Sequence, residues 1–424
     1  MSTIEVSGVN RTIMHIDMNS CFASIECLHN PAIRERPVAV GGDVEARHGI
    51  ILAKNQIAKK YNIKTGEALW QAKQKCSELV IVKPHYDLYV RFSRLARAIY
   101  SEYSPQVESF GIDECWLDAT GTEQLNKGGE ALANEIRERI KFELGITVSV
   151  GVSFNKIFAK LGSDYKKPDA VTVFSPDNFK ERVWPLPASD LLYVGPATTR
   201  KLQRYGIHTI GQLAQTEPEY LQRWFGKIGY VLYSFANGFD STPVCASGDE
   251  AIIKSVGNST TAPRDLTCDE DAAIIFWMLC ESVAERMRDD GFLCRTVQIS
   301  IRDNELNWFE RQAKLPLPTC LASDLHTAAM ELLRSNYSWQ KPLRSIGVRG
   351  TDLVTAATPI QFTMFEDAEK RERMETLERT VDDVRRRFGH YSIGRAITTT
   401  DKSLTNINPK DDHTIHPVGF FKAV

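Results

Sequence analysis

Arg11-Thr12-Ile13-Met14-His15-Ile16-Asp17 runs directly into Met18-Asn19-Ser20-Cys21-Phe22-Ala23-Ser24-Ile25-Glu26. The first seven residues are an apolar, β-rich run closed by an acid, which reads as a short buried strand. From Ser20 to about Leu28 the chain reads as a helix, stopped by Asn30-Pro31. A strand that ends in a carboxylate and turns at once into a helix sets that acid at the rim of a sheet. Working outward, strands and helices continue to alternate. Leu88, Phe92, Leu95 and Ile99 lie four, three and four apart in an amphipathic helix over 86–103, with Arg91, Arg94 and Arg97 on its other face. A hairpin-like stretch surrounds Asp113-Glu114. Leu132, Ile136, Ile140 and Leu144 mark a helix that Gly145 would cap. Ile146, Val148, Val150 and Val152 alternate as a strand, Asn155–Ser163 reads as a short helix, and Ala170–Phe174 as another strand.

This pattern predicts an α+β multidomain protein. Its first sheet domain covers 1–30 and 84–175, interrupted by an inserted subdomain over 31–83. Residues 176–242 carry short helical turns punctuated by Pro and Gly, a small helical module. From about 250 to 355 the order is β-α-β-β-α-β, an independent two-layer domain. Its first helix is expected to open on a capping box, Thr267-x-x-Glu270. The tail, 356–424, holds a helix over 366–388 with Met374, Leu377, Val381, Val384 and Phe388 on one face, followed by loosely ordered residues from Gly389 onward.

The 424 residues carry 52 Lys+Arg against 54 Asp+Glu, a net charge of −2, which excludes a grip on DNA or membrane by bulk positive charge but not by a local basic track. Nine cysteines at scattered spacings, with no Cys-x-x-Cys, point away from a disulfide framework or zinc knuckle and toward a reducing, cytoplasmic setting. No apolar run approaches the roughly 20 residues of a membrane helix.

Asp17 and Asp113-Glu114 place three carboxylates at strand ends of one predicted sheet. Such a set suits hard, oxygen-preferring cations such as Mg²⁺, and a pair of them about 4 Å apart is the usual clamp for phosphoryl transfer. Adjacent strand positions face opposite ways, so Asp113 and Glu114 would share a site only across a turn or bulge. Taken alone, the acids are also compatible with a helix cap at Asp17 and a plain turn at Asp113-Glu114.

In order along the chain these segments resemble the Y-family, or translesion, DNA polymerases, a family with polymerase IV and UmuC types. The resemblance runs from about residue 11 to 365. Ile16 to Glu26 is similar to the family's first motif. Ile112-Asp113-Glu114-Cys115-Trp116-Leu117-Asp118 is similar to the second. Val150-Gly151-Val152-Ser153-Phe154-Asn155-Lys156, with Ala159-Lys160 and Lys166-Lys167-Pro168, is similar to the third. The resemblance implies a ferredoxin-like palm (1–30 and 84–175), inserted fingers (31–83), a thumb with a helix-hairpin-helix (176–242) and a little finger (250–355). It implies template-directed addition of dNTPs to a primer 3′-hydroxyl, with low-fidelity synthesis past lesions. Two Mg²⁺ ions would be held by Asp17, the Met18 carbonyl, Asp113 and Glu114. Cys21 and Phe22 would line the nucleotide, Phe22 as a steric gate against the ribose 2′-hydroxyl, and Lys167 would contact the triphosphate.

Where the family's fingers carry Tyr and Arg on the triphosphate, this chain has Gln56 and Lys59. Lysine keeps the charge but loses the bidentate fork of arginine. Gly111 stands where many members have Ser. Residues 54–75 hold six lysines against the single acid Glu67, and Lys156, Lys160, Lys166 and Lys167 against Asp164 make a local +3, a sensible surround for polyphosphate.

Gly195, Arg200, Lys201 and Arg204, in Tyr193-Val194-Gly195-Pro196 to Tyr205-Gly206-Ile207, resemble a helix-hairpin-helix that offers backbone N–H groups to a DNA phosphate, with Tyr193 where the first glycine would be. Residues 251–355 hold 12 Lys+Arg and 14 Asp+Glu, so a DNA face there must be one-sided; Arg295, Arg302, Arg344 and Arg349 are the candidates. Gln361-Phe362-Thr363-Met364-Phe365 is similar to the bacterial sliding-clamp peptide, with Gln361, Met364 and Phe365 as anchors. The implied partners are primer-template DNA, dNTP and the clamp, for a monomer that does not enter a membrane. Two other readings fit the acids: another palm-type nucleotidyl enzyme, and a degenerate, non-catalytic DNA-bound scaffold.

Overall fold

The computed structural model describes residues 11–42, 49–122, 128–246, 252–361 and 367–405. They fall into two compact units, the second beginning at Ile252.

The first unit is organised on β1 (Ile13–Met18), every residue of which is buried. The strand passes into α1 (Cys21–His29) through Ser20, a non-glycine residue at φ 51. The inserted segment carries β2 (Val38–Gly41), β3 (Ile51–Lys54), the short α2 (Gln56–Lys59), α3 (Leu69–Lys75) and β4 (Val80–Val82). Its three-stranded sheet has the order β3-β2-β4 and its own small core around Ile51, Ile63, Leu69 and Leu79. Then come α4 (Tyr86–Ser101), β5 (Val107–Ser109), β6 (Glu114–Asp118), α5 (Gly129–Leu144), β7 (Val148–Ser153), α6 (Lys156–Tyr165) and β8 (Val171–Phe174). The main sheet is ordered β5-β6-β1-β7-β8, with β1 central and antiparallel to both β6 and β7. Gly145 ends α5 in the left-handed region, at φ 69, as the sequence pattern requires.

One glycine decides how closely α6 can approach this sheet. A Cβ on Gly151 of β7 would lie 1.9 Å from the Ala159 carbonyl oxygen and 2.5 Å from the Ser163 amide nitrogen. The missing side chain lets α6 lie on the strand, backbone against backbone.

Short helices α7 (Phe179–Arg182), α8 (Pro196–Arg204), α9 (Ile210–Gln215), α10 (Pro218–Phe225) and α11 (Lys227–Ala236) complete the unit. They share a core with Phe158 and Leu161 of α6.

The second unit is the β-α-β-β-α-β arrangement: β9 (Ser255–Leu266), α12 (Asp269–Asp289), β10 (Phe292–Asp303), β11 (Trp308–Thr319), α13 (Ala322–Asn336) and β12 (Leu343–Thr355). Its sheet is ordered β11-β10-β12-β9, and the buried residues of both helices join Val297, Ile299, Ile301, Ile346 and Val348 in one core. The capping box predicted for α12 does not form. Cys268 is the N-cap without a side-chain bond, and the Asp271 carboxylate instead accepts from the Thr267 amide and from Arg264. The helix starts one residue later than the pattern implied, so the acid that reaches back to Thr267 is Asp271 and not Glu270, and the Thr267 hydroxyl donates to that carboxylate as well.

Two helical faces also differ from the predicted ones. On α4 the buried residues are Tyr89, Phe92, Ser93, Ala96, Ile99 and Tyr100, Leu88 packs partly buried against the same core, and Leu95 is 42% exposed. On α14 (Ala368–Phe388) the buried residues are Glu378 and Asp382, whereas Leu377 and Phe388 are exposed. The cause is Arg288 of α12. Its side chain, 4% exposed, bonds Glu378 at 2.6 Å and Asp382 at 2.7 Å, so the helix turns these acids inward, with Met374 and Val381 half-buried beside them. Where the sequence suggested loose order after Gly389, residues 390–405 form short helical turns docked on the second unit. Arg395 bonds Glu281, Arg264 bonds Asp401, and Leu404 of α15 (Lys402–Thr405) is fully buried in the second unit's core.

Candidate active site

β1 and β6 lie in a register that sets Asp17 directly opposite Glu114. Asp113 precedes β6 in the bend that joins it to β5, and its carbonyl accepts from the Met18 amide at 3.0 Å. The bend removes the alternation that would otherwise set Asp113 and Glu114 on opposite faces. The three acids therefore influence one another. Asp17, 5% exposed, is pushed up to about 6, first by burial and then by a hydrogen-bonding contact with Glu114. Asp113 is also pushed up to about 6, by burial and then by the charges of Asp17 and Glu114.

α6, pressed on β7, supplies the opposing charge. Lys160 Nζ lies 2.8 Å from Glu114, 3.2 Å from Asp164 and 3.6 Å from Asp17, and Lys167 Nζ lies 2.7 Å from both Asp17 and Asp164. Against the cost of burial, Glu114, Asp164 and Asp17 together hold the Lys160 ammonium well above its usual range. Lys156 is spent elsewhere, on Glu108 at 2.7 Å, and Lys166 is exposed.

His15 was not singled out by the sequence pattern. It is fully buried on β1, two residues before Asp17. Its Nδ1 is 2.8 Å from Ser163 Oγ, and its Nε2 is 3.6 Å from Glu114 with no hydrogen-bond partner. Burial, reinforced by Lys160, holds it neutral. An Ile-x-His-x-Asp spacing on one strand gives no hint that the histidine sits behind an acid on the neighbouring strand.

A divalent cation suits this donor set. Three carboxylates gather where burial and mutual repulsion keep two of them up near 6, with the Lys160 and Lys167 ammonium groups as counter-charges. The set is open rather than a closed cage: among the described residues no three His, Cys, Asp or Glu side chains already stand in metal-holding geometry.

The Phe22 ring, in the first turn of α1, stacks on Tyr89 with centroids 4.1 Å apart and planes at 8°. Cys21 is buried beside it, its thiol 3.8 Å from the Met18 sulfur. Gln56 of α2 reaches back to donate to Ser20 Oγ at 3.2 Å, which ties the inserted segment to the strand-helix turn, whereas Lys59 is exposed. Gly111 sits at φ 148, where glycine is favoured, and its carbonyl accepts from Arg97.

Gly195 caps α8 with Pro196 as the first helical residue, and Tyr193 takes φ 71 where a glycine would be unstrained. Arg200 and Arg204 are exposed, but Lys201 donates to the Trp224 carbonyl and lies over the Phe225 ring. On the second sheet, Arg349 lies opposite Gln298 of β10 and Gly257 of β9, and Arg302 lies opposite Ser345. Arg302 and Arg349 thus share the face turned away from the helices. Arg295 and Arg344 fall at register shifts of the sheet and do not follow that alternation. Gln361 is exposed, and Met364 and Phe365 lie outside the described residues.

Comparison with known proteins is consistent across the chain. Residues 16–164 match the impB/mucB/samB family, residues 253–364 match that family's C-terminal domain, and residues 189–240 match the thumb domain described for DNA polymerase-iota. A DNA polymerase IV of Acetivibrio thermocellus is 53% identical over 399 residues, 94% of this chain and all of that protein. One from Moorella thermoacetica is 38% identical over 390 residues, 92% of this chain and 96% of that one. Among solved structures, a Y-family DNA polymerase chimera superposes with a TM-score of 0.71 at 22% identity. The match covers 81% of this chain and 99% of the chimera, a likeness of fold.

Proposed function

The chain belongs to the impB/mucB/samB family, and from that premise we infer that it is a DNA-directed DNA polymerase of the Y family. The observation that carries the reading is the pairing of Asp17 with Glu114 across β1 and β6, with Lys160 and Lys167 bonded to them. A cluster of acids next to two lysines suits a polyphosphate substrate that arrives with its own cations.

In this reading the primer 3′-oxygen attacks the α-phosphorus of a dNTP and pyrophosphate leaves. Asp17, Asp113, Glu114 and the Met18 carbonyl hold divalent cations, two Mg²⁺ ions. When bound, these lower the pKa of the attacking hydroxyl and offset charge on the leaving group. Lys167 and Lys160, which bond Asp17, Glu114 and Asp164 in the free chain, would turn to the triphosphate oxygens of a bound dNTP. Phe22 lies beneath the sugar with Cys21 beside it. Gln56 and Lys59 meet the triphosphate from the fingers, residues 31–83. Gly195, Arg200 and Arg204 of the thumb, residues 176–242, and Arg302 and Arg349 of the little finger hold the duplex backbone. Lys201, already occupied by Trp224, contributes less.

The absence of any second acidic cluster in the sequence that would serve proofreading fits synthesis past damaged bases, as part of damage tolerance in the cytoplasm. No helix among the described residues is long and apolar enough to cross a membrane. We assign Gln361, Met364 and Phe365 to a sliding-clamp peptide that tethers a monomeric enzyme to its template. The test is primer extension by the purified chain. Extension that needs template, dNTPs and a divalent cation supports the reading. Failure to extend under all conditions would favour a non-catalytic scaffold, and template-independent cyclisation of nucleotides a different palm enzyme.

A further inference from the structure

Glu26 lies one helical turn beyond Phe22 on α1 and is 5% exposed. A buried carboxylate carries a desolvation cost that an apolar residue would avoid. Two donors from the start of α4 satisfy it. The Tyr89 hydroxyl donates to Oε1 at 2.5 Å, and His85 Nδ1 lies 2.9 Å from the same oxygen. The His85 amide in turn donates to the Tyr89 hydroxyl oxygen at 3.1 Å, closing a small ring of bonds.

The Tyr89 ring, fully buried, is the surface on which Phe22 stacks, and Tyr86 presents its edge to both at 5.8 Å. Phe22 cannot retreat toward α4 without displacing Tyr89, and Tyr89 cannot shift without breaking its bond to Glu26. We propose that Glu26 is a positioning residue for sugar selection: by bonding Tyr89 and His85 it fixes the wall behind Phe22 and so limits how far that ring yields to a ribose 2′-hydroxyl. This rests on the reading of Phe22 as the sugar gate. It adds a polar anchor, remote from substrate, that sets the gate's stiffness.

The experiment compares incorporation of CTP and dCTP opposite template dG by the full chain and its variants. Tyr89→Phe keeps the ring and removes the hydroxyl. It should raise the ribo-to-deoxy ratio of kcat/KM about five- to tenfold, mainly through the ribonucleotide KM. Glu26→Ala should give a similar rise, and the double variant should add nothing beyond the larger single effect, since both remove one bond. Glu26→Gln, which keeps a carbonyl acceptor, should return most of the discrimination. If Glu26→Ala does not fold, Tyr89→Phe and Glu26→Gln still decide. An unchanged ratio in folded Tyr89→Phe, with Phe22→Ala admitting CTP freely, overturns the role of Glu26 and leaves the gate intact. An unchanged ratio in Phe22→Ala overturns the gate itself, and this inference with it.

Discussion

Replacing Asp17 by Asn should make the protein more stable at neutral pH while abolishing synthesis. Asp17 is held at about 6 in the fold against a usual 3.8. Between those values the folded chain keeps a proton that the unfolded chain has released, so the fold is progressively destabilised as pH rises from about 4 to above 6. That displacement corresponds to about 3 kcal/mol once ionisation is complete, an upper figure for a group coupled to Glu114 and Lys167. Asn imitates the protonated form and does not incur this loss. The lysine pairs do not reverse the sign, since the upward shift is what remains after Lys167 and Lys160 have pulled downward.

The assay is thermal unfolding of wild type and Asp17→Asn in a chelator, at pH 4.5 and pH 7.5. About 1 kcal/mol of the effect is already present at pH 4.5, so the variant should gain about 4–8 °C on wild type between the two conditions, at roughly 2–4 °C per kcal/mol for a unit of this size. Adding Mg²⁺ at pH 7.5 should close much of that gap by stabilising wild type alone. A difference between the two proteins that is the same at both pH values would refute the argument that burial and Glu114 strain this acid.

Gly151→Ala forces a Cβ to within 1.9 Å of the Ala159 carbonyl. It should cost about 3 kcal/mol or more and reduce synthesis through displacement of Lys160, measured by denaturant unfolding alongside extension rate. Arg288→Ala strands Glu378 and Asp382 as buried charges. It should cost about 3–5 kcal/mol and expose α14 to limited proteolysis. Changing Met364 and Phe365 together to Ala should remove stimulation by the sliding clamp and spare clamp-free extension; equal loss in both assays would mean a folding role.

Periodicity exposed much of this molecule because most of its elements bury an apolar stripe against a sheet. Val148, Val150 and Val152 could only be a buried strand, and the two-layer order after residue 252 was readable from alternation and helix faces alone. Where charge replaces apolar contact, periodicity carries no signal. On α14 the Met374 and Leu377 stripe looked like the docking face, yet Arg288, 90 and 94 residues away in sequence, draws Glu378 and Asp382 inward. The Thr267 cap was missed by one residue, because the helix begins after Cys268 and Asp271, not Glu270, reaches back to Thr267. In the site, Asp17, Asp113 and Glu114 were visible as strand-end acids, but only the register shows that Asp17 faces Glu114 and not another residue of β6. His15, Ser163 and Glu26 were given no role of their own, because a buried polar residue on a strand or helix face has no periodic signature. Its partners come from other elements.

The central claim is that Asp17, Asp113 and Glu114 form one catalytic set. Glu114→Gln tests it most directly, since the amide keeps shape and hydrogen bonding while removing the charge opposite Asp17. Single-turnover primer extension at saturating dNTP and Mg²⁺ should fall by about three orders of magnitude, with an unchanged circular dichroism spectrum. Extension within about threefold of wild type would contradict the account.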